Sequence, residues 1–510
     1  MSININIGEF LTKRALLSPD KEGMVCDDQR FTFKQLNERS NRLANFMLGM
    51  GIRKGDRVGL LALNVPEYYD MFFGLGKIGA ILVPMNYRLA GPEMSYILND
   101  CGAGVFVFGE EYIEIVDSFR KDLPAKDLIC IGNPEGSGGN VPSWARSYGK
   151  LMAESSDAEP PLEGSGDDTL TILYTSGTTG RPKGAELTHA NYFWTSITML
   201  STLGQTGERV LVALPLFHIG ALAGPPMFVH IGQTGILLRS FDANRFLELV
   251  PGEKVTGMGV VPQILMFLKL IPEFSKDMFS TVKIILVYAA PVPVSLIKEY
   301  AEVGIEVRQL YGMTECTGPA TVLDSENALT KAGSCGLPFF HTEVRVVRED
   351  GSEVGPDELG EVLLRSNNVM KGYWNKPEAT AEAIRDGWLY TGDMAKKDKD
   401  GFLYIMDRKK DMIISGGENI YPAEIEELII SHPKIADVGV IGSPHPKWGE
   451  TVKAIVVLKP GEQMTEDELK EWCKDKIGKF KIPRTVVFTD SIPRTPTGKI
   501  LKYELREKFN

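Results

Sequence analysis

No two cysteines stand in a C-x-x-C spacing. The six present, at positions 26, 101, 130, 316, 335 and 473, are scattered through 510 residues. That excludes a disulfide scaffold or a zinc ribbon, and the cysteines read as reduced thiols. A basic excess is also missing: 56 Lys and Arg against 67 Asp and Glu leave a net charge of −11. A generic nucleic-acid binder carries the opposite balance. Anionic ligands stay open, because local charge can oppose the global sign. Residues 1–20 lack a basic segment followed by an apolar one, so no signal peptide is visible. Charge is absent throughout residues 210–238, a stretch long enough to span a membrane. Pro215, Pro225, Pro226, His218, His230 and several glycines interrupt it, and it reads as a buried strand–loop–helix passage. Internal repeats and low-complexity tracts are lacking too. What is there is 43% hydrophobic and 24% charged, ordinary globular values that exclude a disordered or collagen-like chain. At roughly 150 residues per domain, the length suggests about three domains.

The N-terminal part alternates strand and helix signals. Lys34 to Gly51 carries Leu36, Leu43, Met47 and Met50 at helical spacing, with Gly51 as a terminator. Arg57 to Asn64 reads as a buried strand, Glu67 to Gly79 as a helix and Ala80 to Met85 as a strand. This rhythm predicts a mostly parallel sheet covered on both faces. Gly132 to Gly139 and the acidic stretch Glu154 to Asp168 read as surface loops. The texture changes near Asp407. Pro422 sits at the first turn of an expected helix, with Glu424, Glu426 and Glu427 near its positive end. Ala436 to Ile441, Thr451 to Leu458 and Thr485 to Phe488 read as strands. Thr465-x-x-Glu468 is a capping box opening a helix to Ile477. Residues 474–508 hold ten Lys or Arg and four Asp or Glu, a local +6 that suits a phosphorylated ligand.

The densest chemical signal is Tyr174-Thr-Ser-Gly-Thr-Thr-Gly-Arg-Pro-Lys-Gly184, after the strand-like run Leu170 to Tyr174. Its last ten residues hold four hydroxyls, three glycines and one lysine. Glycines let backbone N–H groups turn toward an anion, hydroxyls donate, and Lys183 adds charge, which is what a polyphosphate needs. The loop is not a Walker A motif. Three further segments follow in order. Tyr311-Gly-Met-Thr-Glu315 offers a stacking face, a hydroxyl and a carboxylate suited to Mg²⁺. Gly387-Trp-Leu-Tyr-Thr-Gly-Asp393 with Asp407-Arg408 offers a carboxylate for sugar hydroxyls. Pro493-Arg-Thr-Pro-Thr-Gly-Lys499 sets a lysine after a Pro/Gly turn.

Together these segments resemble the adenylate-forming superfamily of acyl-CoA synthetases, peptide-synthetase adenylation domains and firefly luciferases, over nearly the whole chain. Asp411-Met-Ile-Ile-Ser-Gly-Gly-Glu-Asn-Ile-Tyr-Pro-Ala-Glu424 is most similar to bacterial fatty acyl-CoA synthetases. The resemblance implies an α/β fold. A large N-terminal adenylation domain, 1–407, holds two doubly wound α/β subdomains and a distorted β-barrel. A small mobile α+β domain follows, 408–510, with a hinge at Lys410. It also implies a two-step reaction: a carboxylate attacks the ATP α-phosphate to give acyl-AMP and pyrophosphate, and the coenzyme A thiol then displaces AMP.

By the same resemblance, Thr175, Ser176, Gly177, Thr178, Thr179, Gly180 and Lys183 would cradle the β- and γ-phosphates. Thr175 and Glu315 would position Mg²⁺. Tyr311 would stack on adenine beside Tyr288-Ala289-Ala290-Pro291, with Gln309, Leu310 and Gly312 alongside. Thr314 would touch the α-phosphate, and Asp393 and Arg408 would hold the ribose. Lys499 would bridge the attacking carboxylate and the α-phosphate, where a fixed cation stabilises two approaching anions. Rotation at Lys410 would exchange Lys499 for Gly416 and Gly417, which line the thiol path.

His218 matches the aromatic gate of the carboxylate pocket and argues against an α-amino acid. Gly312 stands where acetyl-CoA synthetases carry a tryptophan, so the pocket should extend beyond acetate. Gly220 and Gly224 stand where aryl-acid ligases carry larger side chains, whereas Leu310 narrows one wall. The expected enzyme is therefore an ATP-dependent, AMP-forming acid–thiol ligase for a medium- or long-chain fatty acid, with ATP, Mg²⁺ and coenzyme A. Its alternatives are a CoA ligase for an aromatic or alicyclic acid, an enzyme loading a carrier protein, and a non-enzymatic nucleotide-binding protein. A cytoplasmic location is expected. A homodimer and peripheral membrane contact are compatible with the chain, and nucleic acid is not an expected partner.

Overall fold

A computed structural model of the chain describes residues 4–132, 141–175, 181–205, 207–269, 271–272, 274–288, 292, 294–302, 304–331, 333–408, 413–420, 422–493, 500 and 502–510. Two large sheets form the body. One has nine strands, with Arg209–Val212, Thr234–Leu237, Gly257–Val260, Ile284–Val287 and the start of Glu306–Met313 running parallel at its centre. The other has eight, with Arg57–Leu61, Ile81–Pro84, Val105–Gly109 and Asp127–Ile131 parallel. Both centres are continuous apolar runs, as sheets covered on both faces require. A five-stranded antiparallel sheet begins at Glu343–Val347 and ends at Leu403–Arg408; it occupies the place expected of the distorted barrel. A fourth, five-stranded sheet belongs to the C-terminal unit.

Local chemistry sets the element ends. Thr32 accepts from the Gln35 amide and donates its own amide to the Gln35 side chain, so the helix Phe33–Gly49 starts one residue before the predicted Lys34. The expected capping box at Thr465 is present. Its helix, Glu466–Cys473, is shorter than the predicted span to Ile477, because Lys474 is extended and Asp475 takes φ +60°. Pro422 opens the helix Pro422–Ile430, and Thr485–Phe488 is a strand as predicted. Residues 210–238 fold as strand, two short helices and strand. No helix among the described residues is long and apolar enough to cross a membrane. All six cysteines are free and buried.

The loop around the acidic stretch 154–168 does more than cover surface. Lys77 is fully buried, and its ammonium donates to Asn37 Oδ1 (2.7 Å), Asn41 Oδ1 (2.5 Å) and Glu159 Oε2 (2.8 Å). A buried ammonium left unpaired would be costly, so Glu159 fastens this loop to two helices. Residues 133–140, most of the other predicted loop, lie outside the described residues.

Candidate active site

The site gathers where the strand Glu306–Met313 leaves the nine-stranded sheet. Tyr311 reaches across to the antiparallel sheet, and its hydroxyl donates to Asp393 Oδ2 at 2.6 Å. Asp393 is buried on the strand Trp388–Lys397, with its amide held by Thr391 Oγ1 at 3.0 Å. The Tyr311–Asp393 bond thus joins two of the body's sheets at one polar point. In register, Arg408 pairs with Asp393 on the next strand, which brings the two sequence-predicted ribose residues together along the backbone.

A short turn then presents Glu315. Its side chain is almost buried, and its Oε1 accepts from the Tyr373 hydroxyl at 2.9 Å and from Thr175 Oγ1 at 3.5 Å. Thr175 ends the strand before the Gly/Ser/Thr-rich loop, and its register partner Lys183 begins the strand after it. The Lys183 ammonium lies 5.3 Å from the centre of the Tyr373 ring. One carboxylate, one threonine hydroxyl and one cation therefore meet at the feet of this loop. A hard-oxygen pair of this kind fits Mg²⁺, which usually takes one or two carboxylates and completes its shell with water and phosphate. No cluster of three or more metal-ligating side chains occurs among the described residues.

A cavity of about 1220 Å³ runs from this polar end into the body. Tyr311, Thr314 and Asp393 line its polar end, and Val212, Met227, Phe228, Leu286 and Leu310 its apolar interior. Small residues shape it. A Cβ on Gly220 would lie 3.0 Å from the Tyr288 ring, and one on Gly224 2.9 Å from the Phe228 ring. The Tyr288 hydroxyl donates to the Gly220 carbonyl at 3.0 Å. Gly312 has a stricter reason to be glycine than pocket length: its Cβ would fall 1.7 Å from the Gly318 carbonyl oxygen, where a bulge brings two strands together. Gln309 accepts from the Val292 amide at 2.9 Å.

The C-terminal unit closes the remaining side. Gly416 and Gly417 line the cavity with φ of +57° and +84°, backbone that L side chains rarely adopt. Next to them Glu418 faces His218, Nε2 to Oε2 3.3 Å, and pairs with Arg88. Burial pushes the Glu418 carboxyl up, but the facing His218 and the paired Arg88 outweigh it and hold it at about 2.

Of the predicted residues, Ser176, Gly177, Thr178, Thr179, Gly180, Ala289, Ala290, Pro291, Lys410 and Lys499 lie outside the described residues, as does the Arg408 side chain. Arg88, Tyr373 and Trp448 were missed. Trp448 packs so close to Gly416 that a Cβ there would come within 2.7 Å of its ring. None of the three carries a local signal. Glu418 is inside the Asp411 to Glu424 segment, yet only its opposition to His218 singles it out.

A three-sheet body and a small C-terminal unit around a cavity with both polar and apolar lining define an adenylate-forming enzyme. The chain belongs to the AMP-binding enzyme family: that family matches residues 11–374, and the AMP-binding enzyme C-terminal domain matches residues 424–499. It is 42% identical over 510 residues to the long-chain-fatty-acid–CoA ligase FadD13 of Mycobacterium tuberculosis, covering 99% of both chains. It is 41% identical over 509 residues to a feruloyl-CoA synthase of an Amycolatopsis species, again covering 99% of both. Among solved structures, o-succinylbenzoate CoA synthetase of Bacillus subtilis, as a double mutant with a product analogue, matches with a TM-score of 0.87 at 32% identity, covering 98% of both chains. The same synthetase with its acyl-adenylate intermediate matches with a TM-score of 0.71 at 33% identity and the same coverage. The protein is an AMP-forming acid–thiol ligase of the acyl-CoA synthetase class.

Proposed function

We propose that the acid is a medium- or long-chain fatty acid, activated as acyl-AMP with release of pyrophosphate and then transferred to the coenzyme A thiol. The observation that carries this reading is the continuous cavity, whose lining includes the apolar side chains Val212, Met227, Phe228, Leu286 and Leu310. Such a lining rewards burial of methylene groups at about 0.8 kcal/mol each. ATP would lie at the Tyr311–Asp393 end, with Thr314 at the α-phosphate. Thr175 and Lys183 would hold the outer phosphates, together with residues 176–180. Thr175 and Glu315 would hold Mg²⁺, which supplies charge neutralisation on the leaving pyrophosphate. Lys499 would bring the acid carboxylate and the α-phosphate together.

The division into 1–407 and 408–510, with rotation at Lys410, belongs to the same reading. The better match to the product-analogue complex supports the thioester-forming arrangement, with Gly416 and Gly417 at the thiol path and His218 drawn toward Glu418. The free, buried cysteines support a reducing, cytoplasmic setting. The aromatic alternative is favoured by one observation, the near-equal identity to a feruloyl-CoA synthase. CoA-dependent pyrophosphate release across saturated acids of increasing length, with ferulate and benzoate alongside, decides between them. Turnover of the aromatic acids alone would overturn the fatty-acid reading.

A further inference from the structure

One acidic side chain outside every motif bonds Tyr174 beside the first foot of the phosphate loop and reaches the second through Tyr96. Asp100 is the penultimate residue of the helix Gly91–Cys101. A carboxylate there faces the negative end of the helix dipole and is disfavoured unless partners compensate. Asp100 has three. Its Oδ2 accepts from the Tyr174 hydroxyl at 2.7 Å. Its Oδ1 pairs with the Lys376 ammonium at 3.2 Å and accepts from the Tyr96 hydroxyl at 3.4 Å. Only 12% of its side chain is exposed.

These partners are the supports of the loop. Tyr174 immediately precedes Thr175 at the first foot. At the second foot Tyr96, which also contacts Asp100, lies 3.5 Å from the Pro182 carbonyl, and the Arg181 guanidinium sits 5.6 Å above its ring. Lys376 follows the strand Gly372–Tyr373, which pairs with Lys183–Thr188 beyond the loop; the Trp374 amide adds a bond to the Gly184 carbonyl at 2.8 Å. That same strand carries Tyr373, the partner of Glu315. Burial and the neighbouring Asp100 charge push the Tyr174 hydroxyl well above its ordinary range, so it stays a donor.

We propose that Asp100 is a positioning residue for adenylation: it fixes Tyr174, Tyr96 and Lys376 so that the loop feet and the Tyr373–Glu315 pair keep their spacing around the Mg²⁺-bound triphosphate. The inference rests on the assignment of residues 175–183 to the ATP phosphates. Nothing in it touches the acid or the thiol, so its signature is a split between half-reactions.

The test is to make Asp100→Ala, Asp100→Asn and Tyr174→Phe in the full chain. ATP–pyrophosphate exchange and thioester formation from supplied acyl-AMP are then measured separately. Asp100→Ala is expected to raise KM for MgATP about tenfold or more, with KM for the acid and the acyl-AMP reaction within about twofold of wild type. Asp100→Asn keeps an acceptor for Tyr174 and is expected to recover part of that loss. Tyr174→Phe, which removes one bond without an unpaired charge, is expected to reproduce the MgATP effect more weakly. Equal losses in both half-reactions, or an unchanged KM for MgATP in both Asp100→Ala and Tyr174→Phe, would overturn the proposal. If Asp100→Ala does not fold, Tyr174→Phe alone decides by the same split. Lys183→Ala guards the premise: if it leaves KM for MgATP unchanged, the phosphate assignment itself fails, whatever Asp100 does.

Discussion

His218 Nε2 lies 3.3 Å from Glu418 Oε2, across 200 residues of sequence, and the same carboxylate pairs with Arg88. His218 comes from the body next to the acyl cavity; Glu418 comes from the C-terminal unit and is almost fully buried. If His218 gates the acyl pocket and the small unit rotates, as proposed above, the gate residue is held by a residue that would be present only in this arrangement. On that reading the position of the unit would be coupled to the openness of the cavity.

Glu418→Gln should therefore weaken the CoA-dependent half-reaction and spare adenylation. His218 and Arg88 are both more than a third exposed, so solvent screens these pairs. The expected loss is about 1 kcal/mol, roughly fivefold in the population of this arrangement. Because the carboxyl is held at about 2 instead of its ordinary 4.5, the stabilisation from the Arg88 pair is present above 4.5 and is lost as pH falls toward 2, while the His218 pair is ionic only with a protonated imidazole. Thioester formation from supplied acyl-AMP, against pyrophosphate exchange, reads the effect. Equal loss in both would break the link.

At the phosphate end, Glu315→Gln is expected to lower pyrophosphate exchange by about 10²–10³, the cost of one lost charge-stabilising contact. Raised Mg²⁺ should recover part of that loss. Lys499→Ala separates binding from chemistry: ATP should still bind, while pyrophosphate release falls by a similar factor. Nucleotide binding by calorimetry beside the exchange assay tells the two variants apart, and unaltered release by Lys499→Ala would remove that residue from the reaction.

Filling the acyl cavity should shift chain length. A side chain on Gly220 would grow toward the Tyr288 ring, which is already at contact distance. Gly220→Leu is expected to depress turnover of long acids by tenfold or more while short acids keep most of theirs, since a wall moved inward penalises only methylenes that reach it. Relative kcat/KM along a saturated series measures this, and an unchanged profile would take Gly220 off the acyl path. Gly312 is a poor choice for the same test, because its Cβ would strike the Gly318 backbone.

Much of this was legible locally. The capping box at Thr465, the strand Thr485–Phe488 and the hydroxyl-rich loop after Tyr174 announce themselves within a few residues. What sequence could not supply is the list of partners. Asp100, Arg88 and Tyr373 lie 74, 330 and 58 residues from Tyr174, Glu418 and Glu315, and no periodicity spans such separations. Lys77 is similar: it ends an ordinary helix, and only the fold places Glu159 beside it.

The seam between the body and the C-terminal unit holds a buried charged triad. Lys481 is almost completely buried and bonds Glu93 of the body and Glu424 of its own unit, each at 2.7 Å. Two carboxylates thus share one ammonium. Burial pushes the Glu424 carboxyl up, Lys481 opposes this and Glu93 adds to it, leaving it at about 7. A carboxyl whose pKa is raised in the folded state contributes stability that is complete below its ordinary 4.5 and is lost as pH rises through about 7. The seam should therefore weaken across that window and change little above it. Glu93→Gln removes the second carboxylate, lowers the Glu424 value and should flatten the slope of Tm against pH between about 5 and 7. Lys481→Met should do the reverse, leaving two carboxylates facing each other, and should lose far more Tm at about pH 8 than at about pH 5. Melting curves across that range for the three proteins measure both effects, and parallel pH profiles would show that the triad does not govern the seam.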